Sequence, residues 1–210
     1  MGNAAMNIKT SPHAGIRGPA DHSIRDQILL AADEHFSYYG YGKTTVSDLA
    51  KAIGFSKDYI YKFFDSKQAI GEAICDKCLS SLLDKVHEAL AKGVSATDRL
   101  RILFTTIAAG STDLFFSDRR LYDIVIYSTE EKWPSSQAYE RQVRALLENI
   151  LREGRETGEF ERRTALEDQC RAIFLAMEPF VNPLLLQHKL DDIPAAIDDL
   201  IQLILRSLKA

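Results

Sequence analysis

Apolar residues recur three and four apart along most of this chain, and that spacing predicts helices. Ile24, Ile28, Leu29, Ala32 and Phe36 set one apolar face along roughly 22–39, closed by Gly40 and Gly42. Thr45-x-x-Asp48 reads as a capping box with Asp in the usual Glu place, and Val46, Leu49, Ala50 and Ile53 form the apolar face of the helix it opens. Gly54 takes a left-handed turn at little cost. Ser56 caps the next helix, expected to run to about 64 and to bury Ile60, Phe63 and Phe64. Asp65 or Ser66 opens a long helix over about 67–92, ended by Gly93.

The pattern continues in longer pieces. Ser95-x-x-Asp98 starts a helix to about 117, a shorter one covers about 119–131, and Pro134 suits the start of one running to Gly158. Thr164-x-x-Glu167 reads as a capping box for a helix to about 188, kinked by Pro179 and Pro183 in a way that widens a cavity. Asp192 and Pro194 start the last helix, with Ile197, Leu200, Ile201, Ile204, Leu205 and Leu208 on one stripe. No alternating strand pattern and no fixed repeat is present. The fold class expected is all-α with about nine helices: a three-helix N-terminal unit followed by a larger helical domain.

Composition narrows this further. With 210 residues, 46% of them hydrophobic, the chain can bury a substantial core. Three cysteines make no disulfide framework, and no apolar run reaches the length of a signal or membrane segment, so a soluble cytosolic protein with no membrane partner is expected. The first twenty or so residues, rich in Gly, Ala, Pro and Asn, are expected to be a disordered tail over 1–21, with Lys9 and Arg17 as its candidates for touching DNA. The net charge is −4, yet residues 43–70 carry five lysines against three aspartates, a local +2. That asymmetry alone would not identify a DNA binder.

The arrangement within Thr45–Phe64 says more. Two short helices joined by a glycine turn present Lys57, Asp58, Tyr59, Tyr61 and Lys62 on the second, a layout suited to the major groove. The residues Arg25…Ile28-Leu29…Ala32…Phe36…Gly40-Tyr41…Thr44-Thr45-Val46…Leu49-Ala50…Ala52-Ile53-Gly54-Phe55-Ser56…Ile60-Tyr61…Phe63-Phe64…Ser66-Lys67 resemble the DNA-binding domain of TetR-type transcriptional repressors. The resemblance covers roughly 22–82; Asp58 departs from it, since a small residue is common there. It implies a helix-turn-helix domain over 22–82 with its motif at 45–64, and a ligand-binding and dimerisation domain over 83–210.

Groove readout needs base contacts held in register by phosphate contacts. Lys57 can donate to guanine O6 or N7. Asp58 accepts from cytosine N4 or excludes wrong bases by repulsion, and Tyr59 can pack on a thymine methyl. Thr45, at a helix N-terminus, suits a phosphate, as do Tyr61, Lys62 and Lys67, with Lys43 a further candidate. The partner expected is double-stranded operator DNA.

For the remainder, the resemblance implies that helices four to seven surround an effector pocket and that the last two helices form a homodimer. The stripe Cys170, Ile173, Phe174, Met177, Val181 and Leu184, with that of the last helix, offers two broad apolar faces, either internal core or shared with a two-fold mate. Candidate pocket residues are Phe104, Ile107, Phe115, Tyr127, Trp133, Phe174, Met177 and Glu178, around a small-molecule effector of unknown identity. Glu178 interrupts an apolar run. It is either a buried carboxylate for a cationic ligand, or a donor when protonated, or a solvated edge or interface position. Cys75-x-x-Cys78 suits a thiol switch or a metal, but no second Cys pair or His-x-x-His accompanies it, which favours inert core residues. No nucleophile–base arrangement, metal signature or phosphate loop is visible, so neither enzyme activity, nor a metal, nor a cofactor is expected. The function expected is a ligand-responsive homodimeric repressor. The alternative is a constitutive DNA-binding regulator whose C-terminal domain only dimerises or binds a protein partner.

Overall fold

Caps and glycines set the register of the first four helices. In a computed structural model, which describes residues 19–188, 190 and 193–209, α1 covers Pro19–Tyr39, α2 Val46–Ile53, α3 Lys57–Ile60 and α4 Lys67–Leu90. The expected tail, with Lys9 and Arg17, lies almost wholly outside the described residues. Thr45 and Asp48 form the expected reciprocal capping box, and Ser56 and Ser66 each accept a backbone N–H three residues on. Ser66 therefore starts α4, not Asp65.

Six further helices follow: α5 Ala96–Ser117, α6 Arg119–Glu130, α7 Pro134–Thr157, α8 Leu166–Val181, α9 Pro183–Leu186 and α10 Ile193–Ser207. The described residues thus hold ten helices and no named strand. The all-α expectation stands, with one helix more than foreseen. The extra one arises because the predicted helix to 188 breaks at Asn182. That residue is extended (φ −89°, ψ 115°), its side chain accepts the N–H of Leu184, and Pro183 opens α9. Pro183 ends the helix where a kink was expected, while Pro179 stays inside α8.

Two more local expectations fail. Thr164 does not cap α8; Ala165 sits at the N-cap with no side-chain bond, and Glu161 takes the N–H groups of Arg163 and Thr164 instead. The helix expected from 56 to 64 is α only over Lys57–Ile60 and then tightens into turns, with Phe63 and Phe64 both donating to the Ile60 carbonyl. Of the two phenylalanines expected to be buried, Phe64 is 3% exposed and Phe63 only half-buried.

Two hydrophobic cores meet along α4. The first joins Ile28, Ala32 and Phe36 of α1 to Leu49, Ile60, Ile70 and Ile74, and takes in Ile124, Val125 and Trp133 from α6 and the turn after it. The second begins at Leu83 and runs through α5, α7, α8 and α10. α6 therefore packs against both α1 and α4 on one side and α5 and α7 on the other. The loop between α7 and α8 is also tied to the end of α10: Glu161 N–H donates to the Leu208 carbonyl at 2.8 Å.

Candidate nucleic-acid interface and the cavity behind it

The α2–α3 pair is held rigid from within. Gly54 sits at φ +77°, and the Phe55 N–H reaches back to the Ala50 carbonyl at 2.9 Å, closing α2 with a left-handed cap. Leu49 and Ile60, both 0% exposed, anchor the two helices to the core. This leaves Lys57, Asp58, Tyr61 and Lys62 exposed on one edge. The Tyr59 ring is only half-buried and lies edge-on between Phe55 (5.1 Å) and Phe63 (5.4 Å). The ammonium of Lys57 lies 5.6 Å from the Tyr61 ring and that of Lys62 5.5 Å from the Tyr59 ring, so aromatic faces steer both lysines.

The expected phosphate contacts are placed unequally. Thr45 is exposed, but its hydroxyl and N–H both donate to Asp48 Oδ2, at 2.6 and 3.0 Å. The Thr45 hydroxyl bond and N–H hold the Asp48 carboxyl below the usual carboxylate range. The donors left at this helix start are the N–H groups of Val46 and Ser47, and Ser47 is a residue that the pattern reading passed over. Lys67 turns inward: its ammonium donates to the Tyr41 carbonyl at 3.0 Å and lies 4.3 Å from the Tyr41 ring, and burial lowers its pKa. Lys43 is exposed and shares a shallow groove with His35, Tyr39, Asp48 and Lys51. Lys51 and Tyr39 were also passed over. Lys51 had entered only the charge count, and Tyr39 was masked by its place at the end of an amphipathic helix.

Behind this edge lies a cavity of about 160 Å3 among α4, α5, α7 and α8. Leu79, Leu82, Val143, Phe174 and Val181 supply apolar wall; Ser111, Thr129, Ser136, Gln137 and Asn182 supply neutral polar groups. Arg144 is bound by Glu140 (2.8 Å) and stacks 3.8 Å above Phe174. The Tyr139 hydroxyl is sealed from solvent with no hydrogen-bond partner, and burial pushes its pKa up. Of the candidate pocket residues, Phe174 and Glu178 line this cavity. Phe104, Ile107 and Met177 are 0% exposed in the second core and are not among its lining residues. Phe115 meets Phe116 and Tyr122, under the Arg119 guanidinium. Tyr127 and Trp133 instead pack on Tyr41, each 5.4 Å between ring centres, where α6 and the turn after it meet the first core.

The cysteines sit apart from this. Burial pushes the Cys78 thiol up to about 12 and raises that of Cys75, so both stay protonated at neutral pH. Among the described residues no helix is long and apolar enough to cross a membrane.

Comparison with known proteins agrees with this geometry. Residues 28–74 match the bacterial regulatory proteins of the tetR family, and residues 96–200 match a tetracyclin repressor-like C-terminal domain. The chain belongs to the TetR family. It is 34% identical over 82 residues to the HTH-type transcriptional repressor KstR2 of Rhodococcus jostii, covering 39% of this chain and 40% of that protein. It is 33% identical over 87 residues to the HTH-type transcriptional activator FasR of Mycolicibacterium smegmatis, covering 41% and 39%. The match thus spans about two fifths of the length of each of these relatives. The fold likeness is longer: the structure of FadR from Bacillus subtilis, in complex with stearoyl-CoA, superposes with a TM-score of 0.65 at 20% identity, covering 87% of this chain and 98% of that one. As a member of this family the chain is a DNA-binding transcriptional regulator, and α2 and α3 lie within the matched N-terminal segment.

Proposed function

We propose that this TetR-family chain is a homodimeric repressor released from its operator by a small molecule held in the cavity beside α4. The observation that carries the reading is the shared core: the DNA-facing α2–α3 pair and α6 contribute to one hydrophobic core, and the turn that follows α6 also walls the cavity. Lys57, Asp58 and Tyr59 read bases from the first turn of α3, while Lys62, Tyr61, Lys43, Thr45 and Lys67 serve the backbone. For Lys67 that contact requires it to leave the Tyr41 carbonyl. The effector is a compact one: a cavity of this order holds a single-ring compound. A longer ligand such as the acyl chain bound by FadR needs the walls to move.

Dimerisation is assigned to the outward faces of α8 and α10. Leu175 and Leu203 are 57% and 63% exposed there, with Ala172, Ala176 and Leu200 beside them, while the opposite faces are already spent on the second core. A two-fold pairing of these faces supplies two recognition helices for two half-sites. Ligand and DNA then oppose each other by population shift, each lowering affinity for the other by the same factor.

The test uses salt-dependent binding to a duplex enriched by selection from a random pool. Lys62→Ala should weaken binding to every sequence and reduce the salt slope by about one. An unchanged slope removes Lys62 from the backbone contacts. Sedimentation should give a dimer that Leu203→Glu splits, and a monomeric wild type contradicts the assembly.

A further inference from the structure

Four charged side chains line the cavity. Arg144 and Glu140 satisfy each other, leaving Lys132 and Glu178 with no ion pair among the described residues. Of these two, only Lys132 belongs to an element that also touches the DNA-facing core. It sits in the turn between α6 and α7 at φ +52°, the one positive φ outside glycine among the described residues. A β-carbon is uncomfortable there, so surrounding bonds must hold it. They do: the Trp133 N–H donates to the Ser128 carbonyl at 2.8 Å, and the Ser136 hydroxyl donates to the same carbonyl at 2.7 Å.

This backbone sends two consecutive side chains to opposite sides. Lys132 lies at the exposed rim of the cavity, and Trp133 is 3% exposed in the first core against Tyr41. The two rings rest on the backbone of α4: a β-carbon on Gly71 would lie 2.8 Å from the Tyr41 ring and 2.9 Å from that of Trp133. The Tyr41 carbonyl in turn accepts from the Lys67 ammonium and from the Thr44 N–H, one residue before the cap of α2. Anything that displaces the turn therefore meets the start of the helix-turn-helix within two contacts.

We propose that the α6–α7 turn reads an anionic effector. The carboxylate of the ligand pairs with Lys132 at the rim, its apolar body fills the cavity, and the turn passes occupancy through Trp133 and Tyr41 to the start of α2. Glu178, on α8, disfavours a second anionic group, so the far end of the ligand is neutral. The inference rests on the ligand-responsive reading above, yet it is tested without DNA.

Trp133 is the only tryptophan in the chain, so its emission reports the turn directly. The full chain is titrated with 4-phenylbutyrate, its amide and 4-phenylbutylamine, which share a single-ring body and differ in head-group charge. The carboxylate should bind at least tenfold more tightly than the amide and change Trp133 emission. Lys132→Gln should bring the carboxylate down to the level of the amide, and Lys132→Arg should restore most of the difference, with melting curves showing that both variants fold. Preference for the amine, equal binding of acid and amide, carboxylate binding that leaves Trp133 silent, or no binding of any probe overturns the proposal. A chain that binds none of the probes but still binds DNA loses this inference alone. One that binds the acid through Lys132 but no duplex keeps it and loses the DNA reading.

Discussion

In the DNA-facing end, Thr45, Ser56 and Ser66 cap α2, α3 and α4 from within their own segments. At the far end Ser95 and Asp118 cap α5 and α6 locally as well, but the start of α5 also leans on a distant residue. Glu159, from the loop after α7, accepts the N–H groups of Ala96 and Thr97 at the start of α5, both at 3.0 Å, more than sixty residues away in the chain. The first end is specified locally and keeps a fixed surface. The second adds a cap supplied across the assembly and surrounds a space. A regulator needs both, because a fixed surface recognises DNA and a space whose walls come from separate helices can respond to filling.

The largest effect that separates the two ends is expected at Ile60, which is 0% exposed under the recognition helix. Ile60→Ala should cost about 3 kcal/mol in urea unfolding and abolish duplex binding. A fully stable variant would mean that α3 is not anchored there. Thr45→Ala comes next, losing about 1 kcal/mol with the capping box, whereas Glu159→Gln should lose less, since the amide oxygen still accepts one of the two N–H groups. Equal losses at the two positions would erase the distinction between local and assembled caps.

Two substitutions should raise stability. Tyr139→Phe deletes the orphaned hydroxyl beside the cavity and should gain up to about 1 kcal/mol, read as a small rise in Tm; a clear loss would reveal a partner for that hydroxyl. Smaller still is Asp33, whose Oδ1 is buried without a partner and whose carboxyl is raised first by burial and then by Asp118. Its folded pKa lies above the unfolded value, so its contribution is fully present at acid pH and is lost as pH rises through the folded pKa. Asp33→Asn should therefore match the wild type near pH 3 and exceed it at pH 7 by less than about 1 kcal/mol. A gap that closes toward neutral pH would reverse the assignment.

Much of this was legible in the residues, and the reason is physical. The pattern at 28–36, the Thr45 box and Gly54 act within a few residues of themselves, so their consequences appeared where expected. Spacing of 3.6 tells that a face is buried but not against what. Trp133 and Tyr127 were thus grouped with the cavity, yet neither lines it: both pack on Tyr41, Trp133 buried and Tyr127 exposed. Phe63 is left half-buried beside the buried Phe64 by a tightening after α3 that no apolar count reveals. At Thr164 the motif was present but a competing carboxylate, Glu161, took the donors. Asn182 followed by Pro183 was a readable break, overlooked because the apolar stripe runs on through Leu184 and Leu186.

Selection of duplexes from a random pool by the full chain tests the central claim most directly. The account predicts enrichment of an inverted repeat whose half-sites lie about one helical turn apart or slightly more, with the preferred bases changing in Asp58→Gly and Tyr59→Ala. Recovery of unenriched sequence, or of one motif unaffected by either substitution, would contradict it.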